Sequence, residues 1–148
     1  MQPISPEEAR SYGMETKHDR MDNGELRFRL GCSADGSSYC RTVASESGAW
    51  QNSHYHKGVS ELYVVQSGWI AYAELNEGEF KLELLRPGES VTFRPLVHHN
   101  LYLSPGSVIH TIKYGTAYEN DWFPSPELNE RTKHLAPEAL FAIGSAAR

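Results

Sequence analysis

The chain has few cysteines, no excess of basic residues and no long hydrophobic run. Only Cys32 and Cys40 are present in 148 residues, without the paired C-x-x-C spacing of a structural zinc site, so we expect two free thiols. Fourteen Lys and Arg against nineteen Asp and Glu give a net charge of −5, which argues against a nucleic-acid partner. The short apolar runs likewise argue against a membrane partner.

The N-terminal residues predict both a location and a local structure. Met1 to Glu8 are acidic where a secretory leader would be basic and then apolar, so we expect a cytoplasmic protein. Ser5 can cap a helix, Pro6 fits its first position and Glu8 completes a capping box. We therefore predict a short helix that ends near Gly13.

The middle of the chain has the pattern of an all-β domain. Leu26, Phe28 and Leu30 alternate with Arg27 and Arg29, which is a half-buried strand pattern. Similar short segments, rich in aromatic or β-branched residues and separated by turn residues, lie at residues 39–44, 50–56, 61–66, 69–75, 79–85, 90–94, 99–103 and 108–114. About eight or nine strands without intervening helices predict a sandwich or a barrel.

The C-terminal residues change pattern again. The stretch from Tyr118 to Pro124 is irregular, whereas the residues from Pro126 to Ala142 have helical composition. We expect this tail to pack over the β-domain or over a subunit partner.

Histidines cluster in the β region, where five of the seven lie between positions 54 and 110. His54 and His56 are two residues apart, so on a strand both side chains leave the same face, about 6.6 Å apart. This separation suits two imidazoles that bind one ion at distances of about 2.1 Å. Glu61 follows after a short turn and can offer an oxygen ligand. His99, on a later strand, can complete a set of three histidines and one carboxylate.

The spacing of these residues resembles the first cupin motif. Gly48, His54, His56, Glu61 and Gly68 are separated by five, one, four and six residues, which is the spacing of that motif. The resemblance implies that His54, His56 and Glu61 are metal ligands.

The second cupin motif is approximate. Pro87–Glu89 opens it, but Leu96 stands in the loop where cupins usually carry Gly. His99 falls at the position of the cupin metal-binding histidine. If the turn were one residue shorter, His98 would be the ligand instead, because a slip of one residue changes the face of a strand.

The resemblance covers about residues 25–115 and implies one cupin domain over residues 1–148. The implied fold is a jelly-roll β-barrel with a short N-terminal helix and a helical tail within residues 116–148. The resemblance also implies a homodimer, a metal in the mouth of the barrel and a small-molecule substrate in the remaining cavity. Three imidazoles and one carboxylate suit a divalent Fe, Mn, Ni, Co or Zn ion, with open positions for catalysis.

Several other residues are candidates for catalysis or substrate binding. Tyr63 lies two residues after Glu61, so it shares the inward face and is a candidate general acid or base. His110 and Tyr114 share one face of a strand; they are catalytic candidates if that face lines the cavity, and surface residues if it does not. Lys113, like Arg94, is able to reach a substrate carboxylate or phosphate, or else is a charge on the rim.

We therefore predict a metal-dependent enzyme that acts on a sugar, a nucleotide sugar or a hydroxy acid by metal-assisted proton transfer, as an isomerase, epimerase or lyase. An iron-dependent dioxygenase is one alternative, and a non-catalytic small-molecule-binding or sensor protein is another. The run His54-Tyr55-His56-Lys57 also resembles metal-free cupin isomerases that use histidine directly as a base.

Overall fold

The computed structural model describes residues 1–116 and 118–146, which are built mainly from short antiparallel strands. The strands in chain order are β1 (Met14–Arg20), β2 (Leu26–Cys32), β3 (Ser38–Val43), β4 (Ala49–Trp50), β5 (His54–Tyr55), β6 (Val59–Ser67), β7 (Ile70–Asn76), β8 (Glu79–Leu85), β9 (Ser90–Phe93), β10 (His98–Leu103), β11 (Val108–Gly115) and β12 (Phe123–Pro124). The helices are α1 (Pro6–Ser11), α2 (Pro126–Thr132) and α3 (Pro137–Ala146).

The strands form two sheets. The first sheet has the order β1-β2-β3-β11-β6-β9, and the second has the order β12-β5-β10-β7-β8, with β4 also paired to β10. All of these pairs are antiparallel. From β6 onward the chain crosses repeatedly between the two sheets, which is a jelly-roll arrangement and confirms the predicted fold class.

Side chains from both sheets meet in one apolar core. Val65, Phe93 and Ile109 of the first sheet pack with Ile70 and Leu101 of the second, and each is at most 1% exposed. Full burial of a side chain of this size contributes about 1.5–3 kcal/mol. The core therefore fixes β6 against β10, the two strands that carry the candidate residues Glu61 and His99.

The predicted helical tail is present as two helices, which pack on the outer face of the second sheet. Leu128 of α2 is fully buried against Leu75 of β7, and Leu140 of α3 packs on Tyr102 of β10. A break before Pro137 separates the helices, because Pro is tolerated in the first turn of a helix but not in its interior. The tail thus covers the barrel, as expected.

The first sheet is polar inside and apolar outside along β2. Arg27 and Arg29 line an interior pocket, whereas Phe28 and Leu30 are 41% and 42% exposed. The alternation predicted the strand correctly, but the burial that such a pattern normally implies is reversed. The reason is that a polar pocket, rather than the apolar core, lies against this part of the sheet.

The N-terminal segment agrees with the sequence in part. Ser5 caps α1 by accepting a hydrogen bond from the backbone N–H of Glu8 at 3.1 Å. The edge strand β1 was not predicted, because its side chains are mostly exposed and show no apolar alternation. Cys32 and Cys40 are free thiols, as expected. Within residues 1–116 and 118–146, no helix has the length and apolar composition needed to cross a lipid bilayer.

Candidate metal centre

Two glycines of the first motif hold tight turns on either side of the histidine segment. Gly48 has φ +67° and Gly68 has φ +74°, a region that residues with a side chain rarely adopt. A Cβ on Gly48 would lie 2.7 Å from the carbonyl oxygen of Leu103, and one on Gly68 would lie 2.6 Å from Cβ of Ser107. Close backbone approach at both ends explains why these positions are glycine.

Four side chains converge inside the barrel. His54 lies on β5 and His56 just after it, Glu61 lies on β6 and His99 lies on β10. The Nε2 atoms of His99, His56 and His54 are 2.7, 3.2 and 3.4 Å from Oε2 of Glu61. One ligand atom from each of the four residues lies within 4.8 Å of the others, and all four residues are buried. The structure therefore brings together the four residues that the motifs single out.

In each of the three histidines, Nδ1, the ring nitrogen that faces away from Glu61, is hydrogen-bonded to a backbone carbonyl oxygen. Nδ1 of His54 donates to the carbonyl oxygen of Asn52 at 2.9 Å, Nδ1 of His99 donates to that of Val97 at 3.0 Å, and Nδ1 of His56 donates to that of Asp121. A carbonyl oxygen only accepts, so the proton of each neutral ring is on Nδ1. The Nε2 lone pairs are therefore left to face the centre of the cluster.

This arrangement fits a cation. Three imidazole lone pairs and an ionised carboxylate would repel one another in a buried site, unless extra protons or a positive ion lie between them. Nε2 of His56 is buried and has no hydrogen-bond partner among the described residues. Nitrogen and carboxylate ligands whose outer nitrogens are fixed by hydrogen bonds are typical of divalent transition-metal sites.

The carboxylate of Glu61 remains ionised although it is only 2% exposed. Burial raises the pKa of this carboxyl, but hydrogen bonds from the three imidazoles, which Nε2 donates only when it carries an extra proton, and the charge of Lys113 outweigh burial and hold the pKa well below its usual range. Nζ of Lys113 lies 3.1 Å from Oε1 of Glu61. The two carboxylate oxygens thus have separate partners, with Oε2 toward the histidines and Oε1 toward the lysine.

Tyr63 lies on the inward face, as its spacing from Glu61 predicts. Its hydroxyl donates a hydrogen bond to Oε2 of Glu61 at 3.0 Å, and the residue is 4% exposed. Burial, with the nearby negative charge of Glu61, raises the pKa of the Tyr63 hydroxyl well above its usual value. Tyr63 therefore keeps its proton beside the cluster.

The structure brings His99, and not His98, into the cluster. Leu96 has φ +71°, so the loop makes the left-handed turn for which cupins usually use Gly, and His99 keeps its place. The ring of His98 stacks on Tyr55 with centroids 4.2 Å apart, and its Nδ1 lies 2.7 Å from the hydroxyl of Ser125. His98 therefore belongs to the contact between β10 and the segment that precedes α2.

Two of the candidate catalytic residues point away from the site. Nδ1 of His110 lies 2.8 Å from the hydroxyl of Tyr39, and Tyr114 is 47% exposed. The neighbouring Thr111 and Lys113 line the pocket instead. Of the two alternatives for His110 and Tyr114, the structure supports the surface position and not the catalytic one, because the alternation along β11 turns these two residues to the outer face of the sheet.

A pocket of about 380 Å³ opens beside the cluster. His54, Glu61 and Tyr63 form part of its wall, and Trp122 lies among the other lining residues. Lys113 also faces the pocket, whereas Arg94, the other candidate substrate-binding cation, is exposed elsewhere on the surface. A site of this size accommodates a small molecule next to the four converging side chains.

Two residues of the irregular stretch, Asp121 and Trp122, support the site from behind. The Asp121 carboxylate accepts hydrogen bonds from the backbone N–H groups of Lys57, Gly58 and Val59 at 2.6, 2.9 and 3.3 Å. Trp122 stacks on His54 with ring centroids 5.3 Å apart. These contacts span more than 60 residues of chain, so no local pattern reveals them.

Comparisons with known proteins show likeness at the level of the fold. No family model matches the chain, and no curated protein matches its sequence. Solved structures of Bacillus subtilis oxalate decarboxylase do match. The structure at pH 4.6 has a TM-score of 0.63 and 18% identity, over 87% of this chain and 34% of that chain. A structure from a study of the Mn(II) centres of that enzyme has a TM-score of 0.63 and 17% identity, over the same shares.

A variant of that enzyme with one tryptophan replaced by phenylalanine gives a TM-score of 0.64 at 16% identity, over 87% of this chain and 34% of the other. This chain therefore spans about a third of the length of the oxalate decarboxylase chains that it matches. Oxalate decarboxylase is a cupin, and a buried group of three histidines and one glutamate fits a cupin metal site. The two antiparallel sheets and the structural neighbours together show that this chain has the cupin fold.

Proposed function

We propose that His54, His56, Glu61 and His99 bind one divalent transition-metal ion. The observation that carries this proposal is the hydrogen bonding of the rings: each Nδ1 meets a backbone carbonyl oxygen, so each Nε2 presents a lone pair to the same small volume. The donor set suits Fe, Mn, Ni, Co or Zn. The Mn(II) centres named for the structural neighbour make manganese one of the first ions to test.

We further propose that the protein is an enzyme that moves a proton on a small polar substrate. A divalent ion bound here would polarise a substrate oxygen and make a proton on the adjacent carbon more acidic. The substrate lies in the pocket of about 380 Å³ beside the cluster. Isomerisation, epimerisation and lyase reactions all use this chemistry, and the decarboxylase name of the structural neighbours favours the lyase class among them.

Three residues around the cluster have different proposed roles. Tyr63 places a protonated hydroxyl beside Glu61 at 3.0 Å, where it can donate a hydrogen bond to a substrate oxygen. Lys113 holds the second carboxylate oxygen of Glu61 at 3.1 Å and so fixes the orientation of that side chain. Trp122 stacks on His54 and shields one side of the cluster from water.

We also propose a homodimer that forms through the outer face of the first sheet. Phe28, Leu30, Tyr39, Ile112 and Tyr114 are 38–47% exposed, and the strand register places Leu30, Tyr39 and Ile112 side by side across three neighbouring strands. An apolar patch of this kind on a sheet face is typical of an interface between proteins.

Metal analysis followed by a substrate screen tests the proposed function. Protein treated with a chelator is reloaded with Mn2+, Fe2+, Co2+, Ni2+ or Zn2+, and sugars, nucleotide sugars and hydroxy acids are tested first under nitrogen and then in air. We expect one bound ion per chain and turnover under nitrogen. The Glu61→Gln variant should lose both, whereas His98→Ala, the neighbouring control outside the cluster, should keep both.

Each other result contradicts a defined part of the proposal. Turnover that occurs only in air, with oxygen uptake, would replace proton transfer by the dioxygenase alternative. Metal binding with no turnover on any compound would favour the non-catalytic alternative. A protein that binds none of these five ions would refute the metal centre itself.

A further inference from the structure

Positive charge is concentrated on one wall of the pocket. Arg27 and Arg29 on β2 and Lys113 on β11 all line it, and their side chains are 23%, 27% and 33% exposed. All three side chains therefore face a confined space rather than open solvent. Charges in such a cleft act more strongly on a ligand than charges on a free surface do, because solvent screens them less.

Small side chains keep a gap open between these cations. β3 lies between β2 and β11, and its residues Ser38, Cys40 and Thr42 line the same wall. The register pairs Thr42 with Arg27 and Ser38 with Lys113. Arg27 and Lys113 are thus two strands and four residues apart, which at about 4.8 Å per strand and 3.3 Å per residue puts their backbones about 16 Å apart. Both long side chains reach into the pocket from these positions, and the small residues of β3 leave room for an anion between their charged ends.

Arg27 is held firmly in place. Its Nε and Nη2 atoms donate to Oε2 of Glu25 at 3.1 and 2.8 Å. Glu25 is 1% exposed and also accepts from Nε2 of Gln51 at 3.2 and 3.0 Å. These contacts occupy one edge of the guanidinium and leave Nη1 as the donor group available to a ligand. An arginine positioned in this way loses little conformational entropy when it binds an anion.

Each cation on this wall already has a carboxylate partner. Arg27 is paired with Glu25, Arg29 with Asp19 and Lys113 with Glu61. The Asp121 carboxylate, which accepts from the backbone N–H groups of residues 57–59, adds one further negative charge beside the proposed centre. A divalent ion there would exceed this single charge and leave positive charge in the confined space, which an anionic ligand would neutralise.

We propose that the pocket binds a small oxyanionic compound, whose carboxylate or phosphate group lies between Arg27 and Lys113. This inference rests on the proposed metal centre and narrows its substrate class, because a neutral sugar would leave the positive surplus unmatched. Arg29, on the same strand as Arg27, adds positive charge to the pocket, although its Nη1 already donates a hydrogen bond to Asp19 at 2.5 Å.

Calorimetric titration of the Mn2+-loaded protein tests the inference. The probes are malonate and lactate for a carboxylate, inorganic phosphate for a phosphate group, and malonamide as a neutral analogue. We expect at least one anion to bind at one site per chain, with an affinity that falls as salt is added, and malonamide to bind at least about tenfold more weakly. The tighter of the carboxylate and phosphate probes identifies the source of the anionic group.

Variants test whether anion binding depends on the cations of the pocket or on charges elsewhere on the surface. Glu25→Gln combined with Arg27→Met removes the cation without leaving a buried carboxylate unpaired, and should weaken anion binding at least about tenfold. Lys113→Met should have a similar effect. The matched control is Glu127→Gln with Arg131→Met, which removes an exposed ion pair on α2 and should change nothing.

The outcomes distinguish this inference from the metal proposal. If the variants keep their bound Mn2+ and bind the anion as well as the unaltered protein does, or if no anion binds better than malonamide, the inference is refuted while the metal centre stands. If no ion is bound, the metal proposal fails. In that case anion binding that still depends on Arg27 would support the pocket assignment, and its absence would overturn it.

Discussion

The two faces of the first sheet have opposite character where it lies against the pocket. On the inner face the register places Glu61 opposite Lys113 and Tyr63 opposite Thr111, all in or near the site. On the outer face, one residue along, Ile112 lies beside Tyr39 and is 42% exposed. The polar residues are thus inside and several large apolar residues are outside, the reverse of an ordinary soluble sheet.

The contrast indicates what each face contacts. Buried polar groups are costly unless they are paired, and on the inner face Glu25, Glu61 and Tyr63 all have hydrogen-bonded partners. Exposed apolar groups on the outer face gain free energy only if another surface covers them. The second sheet has such a cover in α2 and α3, and for the first sheet we propose a second copy of the chain.

The largest expected effect is a difference in metal affinity between variants of the two adjacent histidines on β10. His99→Ala removes a proposed ligand and should weaken metal binding by more than about a hundredfold, since even residues that only support a ligand cost about 10–100-fold. His98→Ala, whose ring faces Tyr55 and Ser125, should keep the metal. Metal content after dialysis and Zn2+ titration measure both. Equal losses in the two variants would contradict the assignment of faces along β10.

Replacing one buried and one exposed phenylalanine by alanine should change the free energy of unfolding by very different amounts. Phe93 is 1% exposed and stacks on His99 with ring centroids 4.3 Å apart, so Phe93→Ala should lower the free energy of unfolding by about 3–5 kcal/mol. Phe28 is 41% exposed, and Phe28→Ala should cost less than about 0.5 kcal/mol. Urea unfolding of both variants in an Ile112→Lys background removes any contribution from a dimer. Similar losses would contradict the burial difference.

The sequence predicted the parts of this protein that depend on neighbouring residues. The two-residue spacing of His54 and His56, and the short turn that leads to Glu61, are local features, so the cluster could be inferred before its geometry was known. The strand segments from residue 59 to residue 115 agree with prediction because glycine and proline turns separate them. Local spacing was enough to predict those features whose residues lie close together in the sequence.

The parts that depend on distant contacts were not predictable. Alternation showed that β2 has two faces, but it could not show that Arg27 and Arg29 face inward, because the pocket is formed by other strands. The same ambiguity left the face of His110 and Tyr114 undecided until the structure was known. Asp121 supports the loop before β6 through hydrogen bonds to residues more than 60 positions away, a separation that carries no sequence signal.

Removing the hydroxyl of one inner-face tyrosine and of one outer-face tyrosine should change the folding free energy by different amounts. Tyr63→Phe removes a hydrogen bond to the ionised Glu61 carboxylate and should cost about 1.5–3 kcal/mol of folding free energy. Tyr114→Phe removes an exposed hydroxyl and should stay within about 0.5 kcal/mol of the unaltered protein. Chemical unfolding measures both, and a cost for Tyr114→Phe that matched or exceeded that for Tyr63→Phe would count against the assignment of inner and outer faces.

A lysine on the outer face should change assembly and leave the site almost untouched. Ile112→Lys would place a charge in the proposed interface, and an unpaired buried charge costs about 3 kcal/mol or more, so light scattering should show a dimer become a monomer. Glu130→Lys adds the same side chain on the exposed part of α2 and should remain dimeric. Metal content should be equal in both, because Ile112 points away from the pocket that its neighbours Thr111 and Lys113 line. A monomeric unaltered protein would leave the outer face without the proposed partner, and loss of metal from Ile112→Lys would mean that the two faces are not independent.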